Sequence, residues 1–208
     1  MSSWTRRRFD GVGLTQSPPG PHLAALQARY GGHVLLCIDV SYSMSGDLLR
    51  RAIAGGEKFL AEATAAHYAA GLVLWAEEVR QFVPPEAGTE TALSVLRKAA
   101  AGGGTRLSPA LERGIEVLAN RSGDRVMCIF SDGELADHRE ARELARKACA
   151  LGIRIIVRGL GRAAATSLAD LACPGVADAE QRIDDATGVT SGIASMAAGL
   201  SLRGKPSD

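Results

Sequence analysis

The chain has 208 residues, 46% of them apolar and 4% aromatic, with 24 Lys and Arg against 23 Asp and Glu. That length suits one domain with a short extension and is enough to bury a substantial core. A formal net charge of +1 supplies no global field to draw in nucleic acid or an anionic membrane, and no run reaches the roughly 18 apolar residues of a membrane span.

Residues 1–31 read as an N-terminal tail followed by a short helix. Thr5-Arg6-Arg7-Arg8-Phe9 has the look of a twin-arginine export signal. Such a signal needs about 7–15 apolar residues next, and here the chain is polar and broken by Pro18, Pro19 and Pro21. A solvated basic tail is the better reading. Leu23, Leu26 and Tyr30 fall on one side of a short helix that Gly31-Gly32 ends.

The stretch that follows organises the chain. Val34 to Ile38 is an unbroken apolar run ending in Asp39, the signature of a strand buried on both faces of a parallel sheet. Asp39, Ser41 and Ser43 then place three hard oxygen groups at alternate positions, a pattern that suits an oxygen-preferring cation, Mg²⁺ first. Taken alone, the serines can also be read as a helix start, with Ser43 or Ser45 as N-cap. A long helix is predicted over Gly46 to Thr64. Gly55-Gly56 in its middle predicts a kink or a very close approach to the sheet.

Tyr68 to Trp75 and Val79 to Val83 flank Ala76-Glu77-Glu78 as a hairpin, which makes the latter strand antiparallel and places it at an edge. Pro84-Pro85 stops it. A helix over Glu90 to Ala101 ends at Gly102-Gly103-Gly104. After Thr105, Ser108 as N-cap and Pro109 at the first helical position start another. Val126 to Phe130 is a second buried run, ending in Ser131-Asp132-Gly133. Asp137 and Glu140 form a capping box for the next helix. Ile153 to Val157 is a strand, Thr166 to Ala172 a short helix, Gln181 to Ile183 a weak last strand, and Asp185 or Thr187 opens a final helix to about Leu202. Residues 203–208 read as a disordered polar tail. Strands alternating with helices give an α/β fold: a doubly wound, Rossmann-like, mostly parallel sheet with one antiparallel edge strand and helices on both faces.

Cys37, Cys128, Cys149 and Cys173 lie far apart with no C-x-x-C pair. Zinc spacing and a secreted disulfide framework are both absent, so a reduced, cytoplasmic setting is predicted.

Three separated pieces of the chain carry a resemblance. Asp39-Val-Ser41-Tyr-Ser43, Gly103-Gly104-Thr105 and Phe130-Ser131-Asp132-Gly133 together resemble the metal-ion-dependent adhesion site (MIDAS) of von Willebrand factor type A (VWA) domains, in the bacterial intracellular manner. The resemblance covers residues 32–202. It implies that the two serines, and often Thr105, bind the metal directly, that Asp39 and Asp132 often act through water, and that a carboxylate from another protein fills the remaining position. The ion implied is Mg²⁺, or Mn²⁺ or Ca²⁺. Physics agrees: neutral alcohols leave the charge of the ion incompletely compensated, so it remains an acceptor for an external anionic oxygen. Without metal, the two aspartates would repel such a carboxylate.

Around that ion, Tyr42, Met44, Arg106, Leu107 and Glu134 are the predicted partner-binding rim, with Met44 and Leu107 equally readable as packing beneath the loops. The function expected is therefore a non-enzymatic, metal-dependent protein-binding module, an adaptor in an intracellular complex, with no catalytic residues. Intracellular relatives of this kind work beside AAA+ ATPases or kinase and phosphatase systems, so the resemblance implies a protein partner of that sort and neither nucleic acid nor membrane. The alternative is a metal-assisted hydrolase acting on phosphate esters. It would need a positioned base or nucleophile, for which Glu134 and His138 are the nearest groups. A nucleotide site is disfavoured, since no phosphate-binding glycine motif follows a first strand.

Overall fold

In the computed structural model, which describes residues 31–176 and 179–201, the apolar runs assemble into one six-stranded sheet. Its strands are β1 (His33–Asp39), β2 (Ala69–Trp75), β3 (Val79–Val83), β4 (Arg125–Ser131), β5 (Arg154–Leu160) and β6 (Glu180–Ile183). They lie in the order β3-β2-β1-β4-β5-β6. Every neighbouring pair is parallel except β2 and β3, so the doubly wound sheet with one antiparallel edge is the observed architecture. The predicted N-terminal helix and both tails lie outside the described residues, apart from the end of the first at Gly31.

Seven helices flank the strands among the described residues: α1 (Asp47–Ala65), α2 (Thr89–Leu96), α3 (Ser108–Leu118), α4 (His138–Ala150), α5 (Gly161–Ala169), α6 (Val189–Ser195) and α7 (Ala198–Ser201). Side chains alternate along a strand, so each central strand feeds two cores. Leu36, Ile38, Cys128 and Phe130 meet α1, α2 and α6 through Phe59, Leu60, Leu96 and Ile193. Leu35, Cys37, Met127 and Ile129 meet α3, α4 and α5 through Leu111, Leu118, Ala145 and Leu168. β1 and β4 bury every residue but the first, which is why both read as unbroken apolar runs.

The glycine pair in α1 marks a close approach and not a kink, but the tightest neighbours are two helices and the sheet comes second. The helix runs unbroken for 19 residues. A Cβ on Gly55 would stand 2.9 Å from the Thr190 carbonyl oxygen and 2.9 Å from Ile193 Cβ, both on α6, and one on Gly56 would stand 2.8 Å from Leu96 Cδ2 on α2. The glycines thus let two helices close on α1. Gly55→Ala is expected to lower stability in urea unfolding by about 1–3 kcal/mol through overpacking, although alanine alone favours a helix by about 1 kcal/mol. A stabilised variant would mean that α6 does not rest on α1.

The final segment is not one helix. A 3-10 turn over Ala186–Gly188 precedes α6, and a turn at Met196-Ala197 separates α6 from α7. Side chains from the sheet capture backbone carbonyls here. Arg154 Nη1 donates to the Gly199 carbonyl at 3.1 Å. The Tyr68 hydroxyl lies 3.0 Å from the Leu200 carbonyl and 2.6 Å from Asp124 Oδ2, its one proton shared between them. Arg154 also pairs with Asp124, through Nε at 3.0 Å and through Nη2. This clamp closes the end of the sheet opposite the carboxyl ends of its parallel strands.

Cysteine usage needs correction. Cys149, in the last turn of α4, and Cys173, beyond α5, form a disulfide, while Cys37 and Cys128 are buried thiols. The two partners are 24 residues apart in sequence and meet only because α4 and the segment after α5 lie together. The bridge removes the chemical ground for assigning a reducing compartment. Among the described residues no helix is long and apolar enough to cross a membrane.

Candidate metal centre

The crossover from β1 to β2 runs over one face of the sheet and that from β4 to β5 over the other. A crevice therefore opens between the carboxyl ends of β1 and β4. Asp39 is the last residue of β1, and Asp132 follows the last residue of β4.

Asp39 is fully buried. Its Oδ1 accepts the Ser41 N–H at 2.7 Å, which turns the chain sharply out of the strand, and its Oδ2 accepts the Ser131 hydroxyl at 2.6 Å. Residues 42–44 make one 3-10 turn, and Gly46, at φ +79°, launches α1 from a conformation that disfavours other residues. The turn brings Ser41 Oγ and Ser43 Oγ to 3.1 Å. Ser43 Oγ then donates to Asp132 Oδ1 at 2.8 Å across 89 residues of sequence.

The third piece is tied in by its backbone. Tyr42 N–H donates to the Gly103 carbonyl at 3.0 Å, and Gly102 N–H to the Val40 carbonyl at 2.8 Å. Arg106 N–H donates to the Ala76 carbonyl and Ala136 N–H to the Thr105 carbonyl, both at 2.9 Å. Thr105 faces the loop after β4: a Cβ on Gly133 would stand 3.8 Å from its hydroxyl oxygen. Hydrogen bonds thus link Asp39, Ser41, Ser43 and Asp132 in one chain, and Thr105 lies beside the Asp132-Gly133 loop.

Burial, opposed by the Ser131 and Ser41 hydrogen bonds and reinforced by repulsion from Asp132, pushes Asp39 up to about 6. Burial also raises Asp132, with the Ser43 hydroxyl working against it. Two carboxylates held where their charge is disfavoured, beside three alcohols, fit a hard dication chemically: oxygen-only donors and uncompensated negative charge. Among the described residues no group of three or more His, Cys, Asp or Glu side chains is placed to hold a metal, and here the alcohols must complete the set.

Asp137 takes a role that the sequence reading missed. Its side chain makes no cap to α4. It accepts the N–H groups of Leu107 at 3.0 Å and Ser108 at 2.8 Å, so it caps α3 from the next loop. Leu107, not Ser108, is the N-cap residue of α3. The loops carrying Thr105 and Asp132 are thereby cross-linked. Asp137→Ala is expected to cost about 1–2 kcal/mol in thermal unfolding, as cap losses do, and to weaken Mg²⁺ binding in the same protein. Ser131, adjacent to Asp132 and without a role from sequence, is the second residue missed. No spacing rule signals either one, because each acts on a partner about 30 or 92 residues away.

The predicted rim divides. Tyr42 is 76% exposed, Glu134 is exposed, and Arg106 is exposed beside Glu140 at 3.6 Å. Met44 and Leu107 are fully buried and do not belong to the rim. The 3-10 turn rolls Met44 into the core with α1. Leu107 sits in the opposite core with Trp75, its N–H held by Asp137.

Residues 34–134 match the family model of the von Willebrand factor type A domain. The fold is that of a VWA domain. No curated protein matches the chain. Among solved structures, the chain is similar to a von Willebrand factor type A protein from Catenulispora acidiphila, at 16% identity and TM-score 0.63, over 82% of this chain and 43% of that one. It is also similar to the vWF domain of the type V pili tip protein Mfa5 from Porphyromonas gingivalis, at 13% identity and TM-score 0.71, over 86% and 98%. A third is proximal thread matrix protein 1 from the mussel byssus, with a zinc-occupied MIDAS motif, at 12% identity and TM-score 0.65, over 84% and 46%. The chain thus spans less than half the length of the first and third. At these identities the likeness is one of VWA fold.

Proposed function

We propose that this VWA domain is a metal-dependent protein-binding module rather than an enzyme, in which a divalent cation held by Ser41, Ser43 and Thr105, with Asp39 and Asp132 behind them, accepts a carboxylate from a partner protein. The observation that carries the reading is the Ser43–Asp132 hydrogen bond at 2.8 Å. It joins the β1 and β4 pieces of the motif at one point. When bound, the cation supplies a positive centre with room for an anionic oxygen. The chain's own part is positioning. Asp39 fixes the Ser41 backbone, Ser131 holds Asp39, and the Gly103 carbonyl and Asp137 hold the loops in register. Tyr42, Arg106 and Glu134 supply the exposed rim. Mg²⁺ suits the oxygen-only set best, with Mn²⁺ and Ca²⁺ as alternatives. The partner proposed is an Asp- or Glu-bearing protein in an assembly of the AAA+ ATPase or kinase and phosphatase kind. His138 sits near Asp170 at 3.8 Å, a contact that suits a structural rather than a catalytic histidine.

The test is partner capture with Mg²⁺, with chelator, and by Asp132→Ala in Mg²⁺. Capture is expected only in the first. Equal capture in all three would refute the reading, and turnover of a phosphate ester abolished by Asp132→Ala would replace it with a hydrolase.

A further inference from the structure

We propose that a groove beside the metal centre selects the partner by an aliphatic side chain next to its metal-binding acid; this rests on the carboxylate-accepting role proposed above. The groove has a volume of about 640 Å³ and lies between the start of α4 and α5. Its floor is Leu135, three residues beyond Asp132, with Ala163 and Thr166 of α5 forming the opposite wall. Three residues of chain reach at most about 10–11 Å. A partner strand seated at the metal therefore presents its next one to three side chains to the groove.

The chemistry of the groove specifies those side chains. Leu135, Ala163 and the Thr166 methyl offer an apolar lining, which suits a Leu, Ile or Met side chain. Glu134, exposed at the metal end, and Asp170 at the far end would repel a second acid inserted between them. Arg162 is exposed at the rim and makes no ion pair among the described residues, whereas Asp170 is engaged by Arg142 at 3.4 Å and lies 3.8 Å from His138. With the dication beside the groove and an exposed guanidinium on its rim, the surface complements an acidic segment. The occupant is thus a partner segment with a metal-binding Asp or Glu, an aliphatic residue within three positions, and a further acidic residue within reach of Arg162.

The groove is also preformed. Leu135 N–H donates to Ser167 Oγ at 3.1 Å, Arg142 of α4 reaches Asp170 at the end of α5, and the Cys149–Cys173 bridge ties the end of α4 to the segment after α5. Little ordering is left for a ligand to impose on this part of the surface.

A library of short peptides with one fixed central Asp and randomised flanks tests this. The folded protein would be panned against it in Mg²⁺ and in chelator. The expected result is Mg²⁺-dependent binders enriched in Leu, Ile or Met within three residues of the Asp. Ala163→Trp, which fills the groove from an exposed helix position, and Arg162→Glu are each expected to weaken those binders about tenfold, the scale of losing one anchor contact. Mg²⁺ affinity, read by calorimetric titration of the same variants, is expected to stay within about twofold, since neither residue bears on the five oxygens. Metal-dependent binders with no aliphatic preference, or binders indifferent to both variants, would overturn the groove while leaving the metal reading intact. Binders that ignore chelator would overturn the metal reading itself. Aliphatic enrichment surviving in chelator would locate binding at the groove alone.

Discussion

Asp39→Asn is expected to abolish Mg²⁺-dependent capture and, in the absence of metal, to raise stability at pH 7. The carboxylate is fully buried and its affinity for a proton is raised, to about 6, chiefly by that burial. The sign follows from the raised value. The folded state binds the proton more tightly than the unfolded state, so its stabilising effect is full below about 4 and is lost as pH rises through about 6. At pH 7 the metal-free protein has lost it, by about 3 kcal/mol at most for a difference of roughly two pH units. Asn keeps the shape and an acceptor for the Ser41 N–H without the charge. Mg²⁺ acts in the opposite direction, favouring the ionised pair, and would stabilise wild type by about 2.7 kcal/mol at a hundredfold excess over Kd. Thermal melts of both proteins from pH 4.5 to 7.5, with and without Mg²⁺, check this. The metal-induced rise in Tm should grow with pH in wild type and be missing from the variant. A variant that melts below metal-free wild type at pH 7 would show that the charge is not the burden described.

The second large effect lies at the opposite end of the sheet. Asp124→Ala is expected to destabilise by about 2–4 kcal/mol, the result of stripping one partner from a largely buried, hydrogen-bonded ion pair. Arg154 and Asp124 are each only 12% exposed, and their pairing also holds Tyr68 and, through Arg154, the Gly199 carbonyl. Tyr68→Phe removes a single hydroxyl and is expected to cost about 1–2 kcal/mol. Urea unfolding measures both. Hydrogen exchange should locate the first loosening in α7, whose carbonyls the clamp holds. A loss below 1 kcal/mol for Asp124→Ala would mean that the clamp is dispensable.

Much of this architecture was legible in the chain. Val34–Ile38 and Val126–Phe130 read as buried strands because both of their faces are covered, the short hairpin marks the edge strand, and Pro84-Pro85 ends it because proline cannot extend a ladder. The metal centre was legible as types and order, since alternate oxygens after one strand and an aspartate after another leave a pattern in sequence. The illegible parts depend on contacts that no local period encodes. Asp137 looked like the cap of its own helix and serves the neighbouring one. Met44 and Leu107 read equally as rim or as packing because a loop has no amphipathic period to say which way it rolls. The Cys149–Cys173 bridge has no spacing signature, and neither do the contacts of Arg154 and Tyr68 with the α7 carbonyls.

Trp75 pairs with Asp39 across β1 and β2, is fully buried, and keeps an indole N–H with no hydrogen-bond partner among the described residues. Its light emission therefore arises one strand away from the charge that a cation would neutralise. Only one other tryptophan, Trp4, contributes background. Ion loading can be followed optically in the unlabelled molecule, with Trp4→Phe isolating the reporter.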